Sequence, residues 1–82
     1  MIGNPKPPVP KYYYTLATVN DSHAACQMEN LLRERLAGFG LSFFTIGHPN
    51  GSRDVMGDSG TTPLADDGLS KARAVAAAIK EA

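Results

Sequence analysis

Thiols are almost missing from this 82-residue chain, which has Cys26 alone, so an intramolecular disulfide is excluded, and with it the stapled scaffolds of small secreted domains. An excess of charge is missing too. Eight basic and eight acidic residues cancel, which removes the electrostatic footprint of a protein that grips nucleic acid or an anionic membrane. No run approaches the roughly 18 apolar residues of a membrane span, and the N-terminus lacks the apolar core of a signal peptide. The expectation is a cytoplasmic protein with no direct nucleic-acid or membrane partner. Catalytic, metal and nucleotide motifs of any strength are lacking as well, so no enzyme activity, cofactor or metal is expected.

A domain this small buries only about 60% of the surface its unfolded chain exposes. Its hydrophobic content is 43%, but much of it is alanine, which contributes little buried area. With no disulfide framework to help, oligomerisation is the usual remedy, and a homodimer is expected.

Four of the six prolines, Pro5, Pro7, Pro8 and Pro10, fall within residues 1–11. At that density they remove backbone donors and favour an extended arm. Pro5 to Pro8 and Pro7 to Pro10 have Pro-x-x-Pro spacing, with Lys6 and Lys11 nearby, which is a ligand pattern for SH3-like receptors. Residues 12–82 read as one α+β domain. Tyr12 to Val19 is an aromatic and β-branched strand; because side chains alternate, Tyr12, Tyr13 and Tyr14 cannot all face one core, and at least one ring must lie outside.

Asn20, Asp21 and Ser22 are all N-cap residues, and Ala25, Met28, Leu32, Leu36 and Phe39 follow at helical spacing, so a helix is expected from Ser22 to Phe39. Glu29 and Arg33 support its exposed side, and Gly38 stops it. Leu41 to Gly47 shows little alternation, as in a strand covered on both faces or lying at the centre of a sheet, and reads as a central strand. Pro49, Asn50 and Gly51 form a turn, after which Ser52 to Met56 can pair back as a hairpin. Gly57 to Thr62 has no apolar side chain beyond its glycines and reads as an exposed, mobile loop. A second helix begins at Pro63 or is capped later by Asp66, with Leu69, Ala72, Val75, Ala76 and Ile79 as its inward stripe. The order is β-α-β-(β)-α, giving a sheet of two or three strands with two helices packed on it and open edges for a partner.

Three local resemblances follow from these segments. Gly57-Asp58-Ser59-Gly60 followed by Pro63-Leu64 resembles the nucleophile segment of chymotrypsin-like serine proteases and implies Ser59 as nucleophile. Two β-barrels are needed to assemble that triad, however, and a chain of this length cannot build them, so Ser59 reads as a turn residue. The stretch from Phe43 to Ala78, with Gly47-His48-Pro49 ending a strand and Pro63-Leu64-Ala65-Asp66-Asp67-Gly68 leading into a helix, resembles the opening of the histidine phosphatase family. That implies His48 as the phosphorylated nucleophile, but Gly47 stands where the phosphate-binding arginine would be and Pro49 where a glycine would be, which removes the charge needed for phosphoryl transfer. Thr15 to Leu41 is similar to small bacterial putative signal-transducing domains of β-α-β-β-α type, which implies the fold and no particular role.

The candidate sites are therefore surfaces. Asp54, Asp58, Asp66 and Asp67 face a single arginine between residues 53 and 68, so that stretch presents an acidic face. Together with Tyr12, Tyr13 and Tyr14 it is the expected partner-binding surface of a small regulator or inhibitor of another protein, of the kind that phages and mobile elements encode. The alternative is a small ligand- or phosphate-binding domain using the 47–53 turn, where His48, Ser52 and Arg53 would hold an anion. His23, Cys26 and His48 supply at most three zinc ligands with no evident fourth, and no metal site is expected.

Overall fold

The computed structural model describes Gly3 and residues 10–82. The Pro-x-x-Pro arm expected over residues 1–11 lies outside the described residues apart from Gly3, Pro10 and Lys11. The chain forms β1 (Tyr13–Val19), α1 (Ser22–Arg35), β2 (Ser42–Gly47), β3 (Arg53–Asp58) and α2 (Asp66–Glu81). This is the expected small α+β domain, in the expected order. Among the described residues, no helix is long and apolar enough to cross a membrane.

The sheet order is β1-β3-β2, with both pairs antiparallel. This corrects the expectation that β2 is central. The connection through α1 leaves a gap beside β1, and β3 fills it by hairpin pairing with β2. Continuous apolar character in β2 does not come from burial on both sides: Phe43 packs against the core, while Ile46 is 44% exposed on the other face.

α1 forms where its cap and apolar stripe predict. The Asp21 Oδ1 accepts the Ala24 N–H at 2.8 Å, which satisfies one of the orphan donors of the first turn. Ala25, Met28, Leu32 and Leu36 are buried, and Arg33 pairs with Glu29 at 3.0 Å on the outer side. The helix ends at Arg35, and Gly38, at φ 91°, turns the chain away. α2 starts at Asp66 rather than at Pro63, with Ala65 at its N-cap making no side-chain bond. Ala72 and Ala76 are completely buried, and their small side chains bring α2 close to its neighbours. α2 lies against β1 and α1, and α1 against all three strands. Leu16, Val19 and Val55 complete this core from the sheet.

A bulge between Thr15 and Ala17 sets what each face of β1 presents. Tyr13 and Thr15 precede it on the face away from the helices. The extra residue shifts the alternation, so that Leu16, Ala17 and Val19 join the helix side and Thr18 returns to the outer side opposite Asp54. Gly57 is likewise not in a loop. It is buried in β3, and a Cβ there would stand 3.3 Å from Leu16 Cδ1 and 3.5 Å from Leu41 Cδ2. Asp58 is also in β3, and beyond it Ser59 and Gly60 exchange main-chain bonds with Tyr12. The first part of the expected loop is thus a strand end tied to the start of β1, and only Thr61 and Thr62 remain as an exposed turn.

Candidate interaction surface

Both helices cover one face of the sheet, and alternation places a different set of residues on the other. From β1 come Tyr13, Thr15 and Thr18, from β2 Phe44 and Ile46, and from β3 Asp54, Met56 and Asp58. The Tyr13 and Phe44 rings meet edge to face with centroids 5.5 Å apart. Tyr13, Phe44, Ile46, Met56 and Asp58 line a shallow apolar depression. Met56 forms its floor at 9% exposure, whereas Tyr13 stands 52% exposed at its wall. The Thr15 hydroxyl lies 3.3 Å from the Met56 sulfur, which holds that flexible side chain in place.

The polar margin is organised around Asp54. Thr18 Oγ1 donates to its Oδ1 at 2.7 Å, and His48 Nε2 lies 2.9 Å from its Oδ2. The Thr18 bond, followed by that of His48, holds the Asp54 carboxyl below its ordinary range against an opposing effect of desolvation. Asp58 stands at the other end of β3, where its Oδ1 accepts the Gly60 N–H at 2.7 Å. The patch therefore carries a carboxylate at each end.

The expected partner-binding residues divide. Tyr13, Asp54 and Asp58 gather on this open face. Tyr14 points to the helix side, where its hydroxyl accepts the Leu64 N–H at 3.0 Å. Tyr12 precedes β1 and bonds Gly60 through its main chain. Asp66 and Asp67 occupy the exposed first turn of α2, where their charge complements the helix dipole. Phe44, Ile46, Met56 and Thr18 belong to the surface without having been singled out from sequence. The parity of Ser42, Phe44 and Ile46 is their one sequence signal, and it becomes readable only if β2 is an edge strand covered on one side.

The 47–53 turn does not bring His48, Ser52 and Arg53 together. His48 turns to Asp54 on the open face, whereas Arg53 donates to Thr45 Oγ1 at 3.3 Å on the helix side. Asn50 Oδ1 accepts both the Ser52 N–H, at 3.0 Å, and the Ser52 hydroxyl, at 2.7 Å. Those donors are engaged within the turn. Ser59 Oγ donates to the Thr62 carbonyl at 2.7 Å, at the opposite end of β3 from the His48–Asp54 pair. Among the described residues, no three His, Cys, Asp or Glu side chains cluster as metal ligands. Comparison of the chain with protein-family models, curated proteins and solved structures finds no match.

Proposed function

We propose that the protein is a non-catalytic cytoplasmic binding module that regulates or inhibits another protein by docking it on the open face of the sheet. One observation carries the reading: a helix-free sheet face concentrates Tyr13, Phe44, Ile46 and Met56 between the carboxylates of Asp54 and Asp58. Aromatic anchors in an apolar centre with polar groups at the rim are the usual anatomy of a protein-binding surface. The complementary partner segment is apolar with a lysine or arginine placed to reach Asp58, which takes part in no ion pair among the described residues.

The test uses two baits in extracts of the native cells, wild type and Phe44→Ser, followed by calorimetry with the purified captured protein. Binding should weaken by about thirtyfold or more on Tyr13→Ala or Phe44→Ser, as for a hot-spot residue, and should weaken with added salt through Asp58. Asp66→Asn and Asp67→Asn should leave it unchanged. Equal capture by both baits would reject this face as the docking site.

A further inference from the structure

The two outer strands of the sheet are finished differently. At β1, Arg73 of α2 donates through Nε to the Thr15 carbonyl at 3.1 Å, and the bulge after Thr15 distorts the edge. Both features obstruct the addition of another strand. β2 has neither. Its pairing with β3 is regular from Ser42 to Gly47, it contains no charged residue and no proline, and none of its residues is buried.

The hairpin determines which main-chain groups β2 leaves outward. His48 N–H donates to the Ser52 carbonyl at 2.9 Å. Antiparallel partners alternate between bonded and non-bonded pairs, so Ile46, Phe44 and Ser42 direct their N–H and C=O groups at β3, and Phe43, Thr45 and Gly47 direct theirs to the free edge.

We propose that this edge pairs with the β2 edge of a second copy of the chain, antiparallel, about a two-fold axis normal to the sheet at Thr45. The two three-stranded sheets become one. In this register Thr45 faces its own counterpart, and the outward groups of Phe43 face those of Gly47. On the open face, Phe44 of each copy meets Ile46 of the other, an aromatic and aliphatic cross-strand pair repeated by the symmetry. On the helix side, each Phe43 lies opposite Gly47, whose missing side chain leaves it room. The Arg53 guanidinium is 3.8 Å from where a Gly47 Cβ would stand, so it flanks the incoming ring. The strand is self-complementary in shape and uncharged, which is what selects a second copy over a foreign strand; stacking the two open faces would instead oppose Asp54 and Asp58 with their equals. The pairing does not rest on the docking role above, and it would merge two open faces into one broader surface.

Sedimentation of the full chain over a concentration series tests it. Wild type should approach twice the chain mass and dissociate on dilution. Thr45→Pro, which removes an outward donor and no main-chain bond to β3, though it also removes the Thr45 hydroxyl that accepts from Arg53, should raise the dimer dissociation constant at least about tenfold with an unchanged circular dichroism spectrum. Ile46→Lys should do the same, and it decides the matter if Thr45→Pro does not fold. In a Cys26→Ser background, Thr45→Cys should form an intermolecular disulfide on mild oxidation, because the two-fold axis brings these residues together, while Phe43→Cys should not. A wild-type monomer at every concentration would overturn the proposal, as would a dimer that both Thr45→Pro and Ile46→Lys leave intact. Either result leaves the open-face docking role to its own test.

Discussion

Tyr13 and Phe44 touch across a strand to which neither belongs. Tyr13 is on β1 and Phe44 on β2, β3 runs between them, and their rings meet at 85° with centroids 5.5 Å apart. Opposite them on β3 stand Asp58 and Met56 respectively, so the rings close over the central strand and join the two edges of the sheet. An edge-to-face pair contributes about 0.5–1.5 kcal/mol beyond its buried area. A double-mutant cycle of Tyr13→Ala and Phe44→Ala, followed by urea unfolding, should give a coupling energy in that range. Strict additivity would show that the two rings are independent surface groups.

Gly57 is a packing residue. A single added carbon already meets Leu16 Cδ1 at 3.3 Å, so a valine side chain must displace the ends of Leu16 and Leu41. Valine favours strands, and at an open site Gly57→Val would stabilise. Here the expected result is a loss of about 1–3 kcal/mol from overpacking. In a thermal melt each kcal/mol lost should lower the midpoint by about 4–8 °C. Gly57→Ala should cost less, because the ends of Leu16 and Leu41 can give way. An unchanged or raised midpoint for Gly57→Val would contradict the packing assigned to this glycine.

This position also shows where the fold was legible and where it was not. α1 could be read because Asp21 and the stripe from Ala25 to Leu36 are local signals, and the element order follows from such signals. β3 is not legible as the central strand, because Asp54, Gly57 and Asp58 have poor strand propensity; their position between two partners overrides that preference. The apolar run of β2 correspondingly reads as that of a central strand, although Ile46 is 44% exposed. Alternation did foretell that one tyrosine would face outward, but the Thr18–Asp54–His48 cluster depends on a bulge and a hairpin register that no single segment encodes. Without that register, Phe44 and Ile46 could not be seen to share a face with Tyr13.

The two helices begin differently, and the difference is measurable. Asp21 caps α1 through a side-chain bond, whereas Ala65 at the head of α2 makes none. Ala65 has φ −63° and ψ 151°, extended backbone that a capping serine adopts without strain. Asp21→Ala should therefore cost about 0.5–2 kcal/mol, and Ala65→Ser should add about as much as a typical cap, about 1 kcal/mol. Chemical denaturation checks both. Midpoint shifts of opposite sign would support the assignment, whereas a destabilising Ala65→Ser would mean that the head of α2 is held by contacts the hydroxyl disturbs.

Asp54 gives the open face a dependence on acid. Its carboxyl is held below the ordinary range, first by the Thr18 hydroxyl and then by His48. A carboxyl whose folded pKa is lowered favours the native state once it is ionised in both states, above the unfolded value of about 3.9. That contribution is lost as pH falls through the lower folded value, below which the carboxyl is protonated whether or not the chain is folded. Asp54→Asn should consequently be less stable than wild type at about pH 5, and the gap should close towards about pH 2. Thr18→Val, which removes the strongest of the stabilising bonds, should reduce the same acid-dependent part while leaving His48 in place. Urea midpoints of the three proteins across this range provide the measurement. A wild-type advantage that persists undiminished in acid would show that Asp54 acts through its shape and hydrogen bonding, with its charge playing no part.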